Sequence, residues 1–361
     1  MPLTKEDTLH AKGIAIISML MLHLFCRIGN LPYTPLIWIG DTPLIYYLGL
    51  FGDICVPIYC FCAGYSHYLL QNENQEKYVR QIPNKILRFL VNYWIIVVLF
   101  SIVGLLFDQC GNIPGSFKSF LGNILVVGMS YNGAWWFVAT YLFLLLFSPY
   151  TAYITKKLTS ITVCIFSAIF YLISYLFRFQ WNFDFHPPIF NWIWQQLILF
   201  GTSQFPYMVG MIAFKAKIPE RLRSYCSISA HRLFKYLLVG IAPLFCFIIH
   251  CLEQSLIIAP ITALSVLVSL FLLKLPTWLG NTLAFLGKHS TNIWFTHMFF
   301  YLTLFPGLVF HAKYPILILM LMLSICLPIS FLIDHIYQPI RTRIDRFMLN
   351  FSSRKSFFFS F

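Results

Sequence analysis

Charge is what this chain has least of. Asp, Glu, Lys and Arg make up 10% of its 361 residues, against 59% hydrophobic residues and a mean hydropathy of +0.76. A soluble domain is normally about one quarter charged. So little charge cannot cover a water-facing surface, so lipid must cover much of this one. Length alone would allow two soluble domains. Apolar stretches run through the whole chain, however, and leave no room for a separate one.

Other absences narrow the class further. The ten cysteines include no C-x-x-C pair and no Cys/His spacing of the zinc type. Cys55, Cys60, Cys62, Cys164, Cys246, Cys251 and Cys326 lie inside apolar runs and read as small packing residues, so no metal is expected. There is no phosphate-binding glycine loop, internal repeat or low-complexity tract. No cleavable signal is expected either. The first apolar run, 13–25, ends in Cys26-Arg27-Ile28-Gly29-Asn30, a poor cleavage site, and reads as a retained helix.

What is present is a series of apolar stretches of membrane-crossing length, roughly 20 residues each. They fall near 12–29, 44–70, 89–107, 135–153, 160–177, 191–213, 234–251, 256–273, 290–306 and 315–333. The second is long enough to tilt or to hold a break near Pro57. The stretch 120–127 is too short to cross and is expected to lie in the interface or re-enter. The expected fold is therefore an all-α polytopic membrane protein of about ten helices in the cell membrane, the plasma or inner membrane. Residues 1–340 form its transmembrane domain, and 341–361 a basic and aromatic tail in the cytoplasm.

The net charge of +13 has a topological explanation. With a cytoplasmic N-terminus, 21 of the 25 Lys and Arg residues fall on the inner side, leaving only Arg27, Lys118, Arg178 and Lys313 outside. Such asymmetry is the positive-inside rule. It puts both termini in the cytoplasm and removes the need for nucleic acid as a partner.

Ionisable residues within spans are costly and mark candidate sites. In the first helix Lys12 and His23 are eleven residues apart, about 20° beyond three full turns. They share a face, about 16 Å apart along the axis. Lys12 then sits at the inner surface with His23 near mid-membrane, and Arg27 follows one turn further out. A neutral imidazole both accepts and donates a proton. It suits general base work on a hydroxyl or amine, or attack on a thioester; packing against a neighbouring helix would account for it equally well. Asp53 falls in the outer half of the second span, where Arg27 could pair with it. His297, nine residues after Lys288, reaches a depth close to that of His23 on another helix. His250 and Asp334 lie near span ends and are set aside. Lys85 and Arg88, one turn apart at the inner end of the third span, read either as topology or as a clamp for the phosphates of a cytosolic donor.

Several segments carry a family resemblance. Lys12-Gly-Ile-Ala-Ile-Ile-Ser-Met-Leu-Met-Leu-His23 resembles the R/K-x10-H signature of the membrane acyltransferase-3 family. Gly52-Asp-Ile-Cys-Val-Pro-Ile-Tyr-Cys-Phe-Cys-Ala-Gly-Tyr65 is similar to its second-helix segment, and Gly133-Ala-Trp-Trp-Phe137 to its fourth. Leu286-Gly-Lys-His-Ser-Thr-Asn-Ile-Trp-Phe-Thr-His297 resembles its late stretch, and Lys85-x-x-Arg88 loosely matches its basic pair. The order is kept over residues 8–340. Ala63 stands where Ser is common, Lys85 where Arg is usual, and no acidic residue lies in 134–146.

The resemblance implies about ten helices, acetyl-CoA as donor and an essential histidine at His23. It also implies transfer of an acetyl group to a sugar hydroxyl of a cell-surface polysaccharide or its lipid-linked precursor. On that reading His23 and His297 are catalytic, Lys12, Lys85 and Arg88 meet acyl-CoA, and Arg27 and Asp53 support the site. A polysaccharide or lipid-linked sugar exporter, or an N-acyltransferase acting on an amino sugar, are the alternatives. An exporter should show paired broken helices in matching halves, which the sequence lacks.

Overall fold

The computed structural model describes residues 2–107, 113–181, 183, 185 and 187–358, excluding the side chains of Ser229 and 348–358. The tail anchor expected at 354–359 lies outside the described side chains. The first half of the chain forms α1 (Lys5–Phe25), α2 (Leu44–Phe51), α3 (Cys55–Glu73), α4 (Gln75–Phe107), α5 (Phe117–Ile124), α6 (Trp136–Leu146), α7 (Ser148–Lys157) and α8 (Ser160–Phe179). The second half forms α9 (Pro188–Lys215), α10 (Ile218–Ser227), α11 (Arg232–Tyr236), α12 (Ala242–Glu253), α13 (Ala259–Leu272), α14 (Thr277–Met298), α15 (Pro306–Phe310) and α16 (Pro315–Phe358). The described sheet is one antiparallel pair of two-residue strands, Trp38 facing Pro43.

This is an all-α polytopic membrane protein. Among the described residues seven stretches are long and apolar enough to cross: α1, Leu44–Glu73, α4, α8, α9, Arg232–Glu253 and Pro315–Phe347. The pair α6 and α7, bent by 54°, makes an eighth if it is one span. All ten expected spans coincide with helix, yet length and composition mark only these. The stretch expected at 256–273 is the shorter apolar helix Leu256–Leu272. The one expected at 290–306 covers the end of α14, whose His289, Ser290, Thr291, Asn292, Thr296 and His297 dilute its hydropathy.

Local chemistry sets the main elements. Thr4 and Asp7 cap α1 reciprocally: Thr4 Oγ1 accepts from the Asp7 amide at 3.1 Å, and Asp7 Oδ2 from the Thr4 amide at 2.8 Å. The second span breaks at Gly52–Ile54, one turn before the expected Pro57. Pro57 lies in the first turn of α3, where its missing N–H forfeits no helical bond. The short stretch expected near 120–127 is α5. Tyr93 Oη and Trp94 Nε1 of α4 donate to the carbonyls of Asn123 and Ile124 at its end, at 2.7 and 2.9 Å. That satisfies acceptors a helix end leaves open.

The most extensive helix contacts are α3 with α9 and α1 with α14. The second brings the first and last motifs of the sequence together. A Cβ at Gly13 would collide with the Leu283 carbonyl, and one at Gly287 with the Leu9 carbonyl. One glycine from each helix thus lets the two backbones touch, as small residues do at membrane helix crossings.

Candidate active site

Helix α14 uses its whole circumference, and this positions the site. Gly287 meets α1. Two residues on, His289 Nδ1 lies 2.9 Å from Ser330 Oγ and 3.5 Å from Asp334 Oδ2 on α16. Asn292 donates to Asp334 Oδ1 at 2.9 Å and accepts from Asn92 Nδ2 of α4 at 2.8 Å. Trp294 Nε1 donates to the Ala134 carbonyl at 3.0 Å, while Asn132 Nδ2 and Trp135 Nε1 donate back to the Phe295 carbonyl at 3.0 and 3.1 Å. The last polar residue, His297, faces α1. Asp334, set aside on the sequence, is therefore a partly buried anchor of this frame.

His23 and His297 come together as their matching depths imply. Their ring centroids are 5.0 Å apart, with planes tilted by 52°. His23 is half-buried and lines a cavity of about 540 Å³. His297 is wholly buried. Its Nδ1 lies 2.8 Å from the Trp294 carbonyl, so it must carry the proton. Its Nε2 keeps the lone pair and has no hydrogen-bond partner among the described residues. His297 therefore stands behind His23 as seen from the cavity.

The cavity extends from Lys12 and Lys85 at one end, past His23, to Trp136 and Arg178 at the other. Lys85 Nζ lies 3.9 Å above the Tyr78 ring centre. Among the described residues neither Lys12 nor Lys85 has a carboxylate partner. Arg88 is not brought to the cavity: it forms an ion pair with Asp345 of α16, its Nε 2.6 Å from Oδ1. Only half of the expected basic pair is thus free to meet a ligand.

Among the described residues Arg27 and Asp53, which the sequence allowed to pair, do not. Arg27 lies over the Tyr301 ring at 5.6 Å. Asp53 Oδ2 lies 3.0 Å from His250 Nε2, both side chains almost fully buried, at an angle that falls short of a hydrogen bond. The correction has a geometric cause: α12 packs on α2, bringing its last turn to the Gly52 turn, whereas Arg27 lies beyond the end of α1. His250, set aside on the sequence, is thus the partner of Asp53, and Asp53 still lines the cavity.

Sequence reading also passed over His67. It lines the Lys85 end, with Nδ1 2.9 Å from Tyr207 Oη. The signal was available, since His67 is an imidazole inside an apolar stretch. Among the described residues no three His, Cys, Asp or Glu side chains converge as metal ligands.

A half-buried imidazole in a cavity lined by Lys12 and Lys85 at one end and by Trp136 and Arg178 at the other is an arrangement for proton transfer or nucleophilic chemistry on an enclosed ligand. The family comparison agrees. A family model described as an acyltransferase domain, type 3, matches residues 10–335. The chain belongs to the acyltransferase-3 family. No curated protein and no solved structure matches it. The match begins just before Lys12 and ends just after Asp334, so it takes in the α1–α14 crossing, both cavity histidines and the α16 anchor. As an acyltransferase-3 protein, the chain is a membrane acyltransferase.

Proposed function

We propose that the protein moves an acetyl group from acetyl-CoA to a sugar hydroxyl of a cell-surface polysaccharide or its lipid-linked precursor. The observation that carries this reading is the single cavity with Lys12 and Lys85 at one end and His23 in its wall. A volume of about 540 Å³ suits a pantetheine arm and a reacting group. The CoA phosphates stay at the mouth against the two ammonium groups, with the mouth on the cytoplasmic side. Acceptor hydroxyl and thioester meet at His23.

The hydroxyl oxygen attacks the thioester carbonyl, the C–S bond breaks, and CoA leaves as the thiol. His23 supplies the one lone pair this needs. In that direct route it takes the hydroxyl proton and passes it to the CoA sulfur; in a covalent route its lone pair attacks the thioester instead, the departing sulfur takes the imidazole N–H proton, and the hydroxyl then attacks the acyl-imidazole and returns its proton to the ring. His297 holds the neighbouring position with its own tautomer fixed by the Trp294 carbonyl.

The test is transfer of label from acetyl-CoA to glycan by the purified protein in detergent. Time-dependent labelling of an extracted surface glycan is the expected result. A folded protein that binds no acetyl-CoA and labels none of the glycans offered would overturn the proposal.

A further inference from the structure

The far end of the cavity carries a cation that the chemistry above leaves unused. Arg178, in the last turn of α8, lines the cavity beside Trp136, Tyr175 and Thr202. Its guanidinium carbon lies 4.9 Å from the Trp136 ring centre and 5.1 Å from that of Phe179. Nη1 donates to Thr202 Oγ1 at 3.2 Å. Among the described residues Arg178 has no carboxylate partner. A guanidinium has five N–H donors in a rigid plane. Ring faces fix that plane but leave its edge donors open.

The neighbouring hydroxyls are already committed. Tyr171 Oη donates to the carbonyls of Leu256 and Ile257, at 3.2 and 3.0 Å, and Tyr175 Oη lies 2.6 Å from Ser255 Oγ. These bonds tie α8 to the segment after α12, so the aromatic walls are held in place. What this end offers a ligand is a planar fork of charged donors set in an aromatic wall. The fork matches the two oxygens of a carboxylate or phosphate, and a partly buried cation in a membrane protein is costly without a counter-charge.

We propose that Arg178 is the anion anchor of the acceptor site: the acceptor glycan carries an oxyanion, a carboxylate or a phosphate ester, which Arg178 takes with the edge donors its aromatic neighbours leave open. This rests on the reading that the acceptor enters the cavity from the end opposite Lys12. The anchor selects charged acceptors and orients them along the cavity, away from the donor mouth.

The test is binding of glucuronate, glucose 6-phosphate and glucose to the full chain in detergent, read as ligand-induced thermal stabilisation. Stabilisation by an anionic sugar and not by glucose is expected. Preference for glucuronate identifies a carboxylate acceptor, and preference for glucose 6-phosphate a phosphorylated one. Arg178→Gln should weaken that binding by roughly tenfold or more, since a charge-assisted pair is lost. Equal binding of glucose and both anionic sugars overturns the proposal, as does undiminished binding by folded Arg178→Gln.

A measurement on the wild-type protein avoids any folding defect of the variant. Arginine-directed modification of Arg178, followed by mass spectrometry, should be slowed by the bound sugar and not by glucose. Modification unaffected by the anionic sugars also overturns the proposal. Acetyl-CoA binding and CoA release on the same preparation keep the two readings apart: if both are missing while Arg178-dependent sugar binding persists, the transferase reading alone fails.

Discussion

At the residue scale, His23 and His297 differ in what they face, and so in how their loss should read out. His23 opens on the cavity. Its truncation to Ala removes one imidazole from a wall that is already solvent-sized, so the fold should survive while transfer falls by at least ~100-fold, the low end for an acid–base group. His297 is wholly buried and bonded to its own helix. His297→Ala should cost stability, ~1–3 kcal/mol for an abandoned buried partner, and should also lower turnover per folded molecule, because it backs the His23 ring. Thermal stability and specific activity are measured together. Lost stability with normal specific activity would assign His297 to the frame alone.

Lys85 and Arg88 look alike in sequence and separate in space. Lys85→Ala should raise the KM for acetyl-CoA with little change in kcat, the pattern of lost ground-state binding. Arg88→Ala breaks a half-exposed ion pair with Asp345. It should leave KM unchanged and cost at most ~1 kcal/mol of stability. A steady-state comparison of the two variants decides this, and equal rises in KM would contradict the assignment.

At the element scale, α14 shows why some of the site was legible and some was not. Depth along a helix follows from 1.5 Å per residue, so residue counting alone aligned His297 with His23. The pairing of Asp53 did not follow from counting. It depends on which helix packs beside α2, and α12 follows 190 residues later in sequence with no periodic signal that fixes its neighbour. Arg88 failed for the same reason, since its partner Asp345 lies at the far end of the chain. Positions along spans were readable, but partners across spans were not. The Gly13–Gly287 crossing holds the two motif helices in register. Gly287→Val should force α1 and α14 apart, costing ~1–3 kcal/mol or more by overpacking, and should lower activity beyond the stability loss by separating His23 from His297. A thermal melt beside a transfer assay checks it, and full activity in the surviving folded fraction would show that the crossing does not set the site.

At the scale of the whole molecule, the distribution of basic residues predicts which way the chain is oriented. By the positive-inside rule the 214–233 loop is expected in the cytoplasm and Lys118 outside. In a background without the native cysteines, an impermeant maleimide should label Lys118→Cys in intact cells and Lys217→Cys only in inverted vesicles. The reverse pattern would invert the molecule and place the Lys12 mouth away from cytosolic acyl-CoA. The proposed chemistry depends on one side chain in the wall of the cavity, His23. The most direct measurement is release of CoA thiol from acetyl-CoA by the purified protein with glycan acceptor, comparing wild type with His23→Ala at matched folded concentration. Acceptor-dependent release by wild type and a rate at least ~100-fold lower for the variant are expected. Near wild-type release by folded His23→Ala would contradict the role proposed for His23.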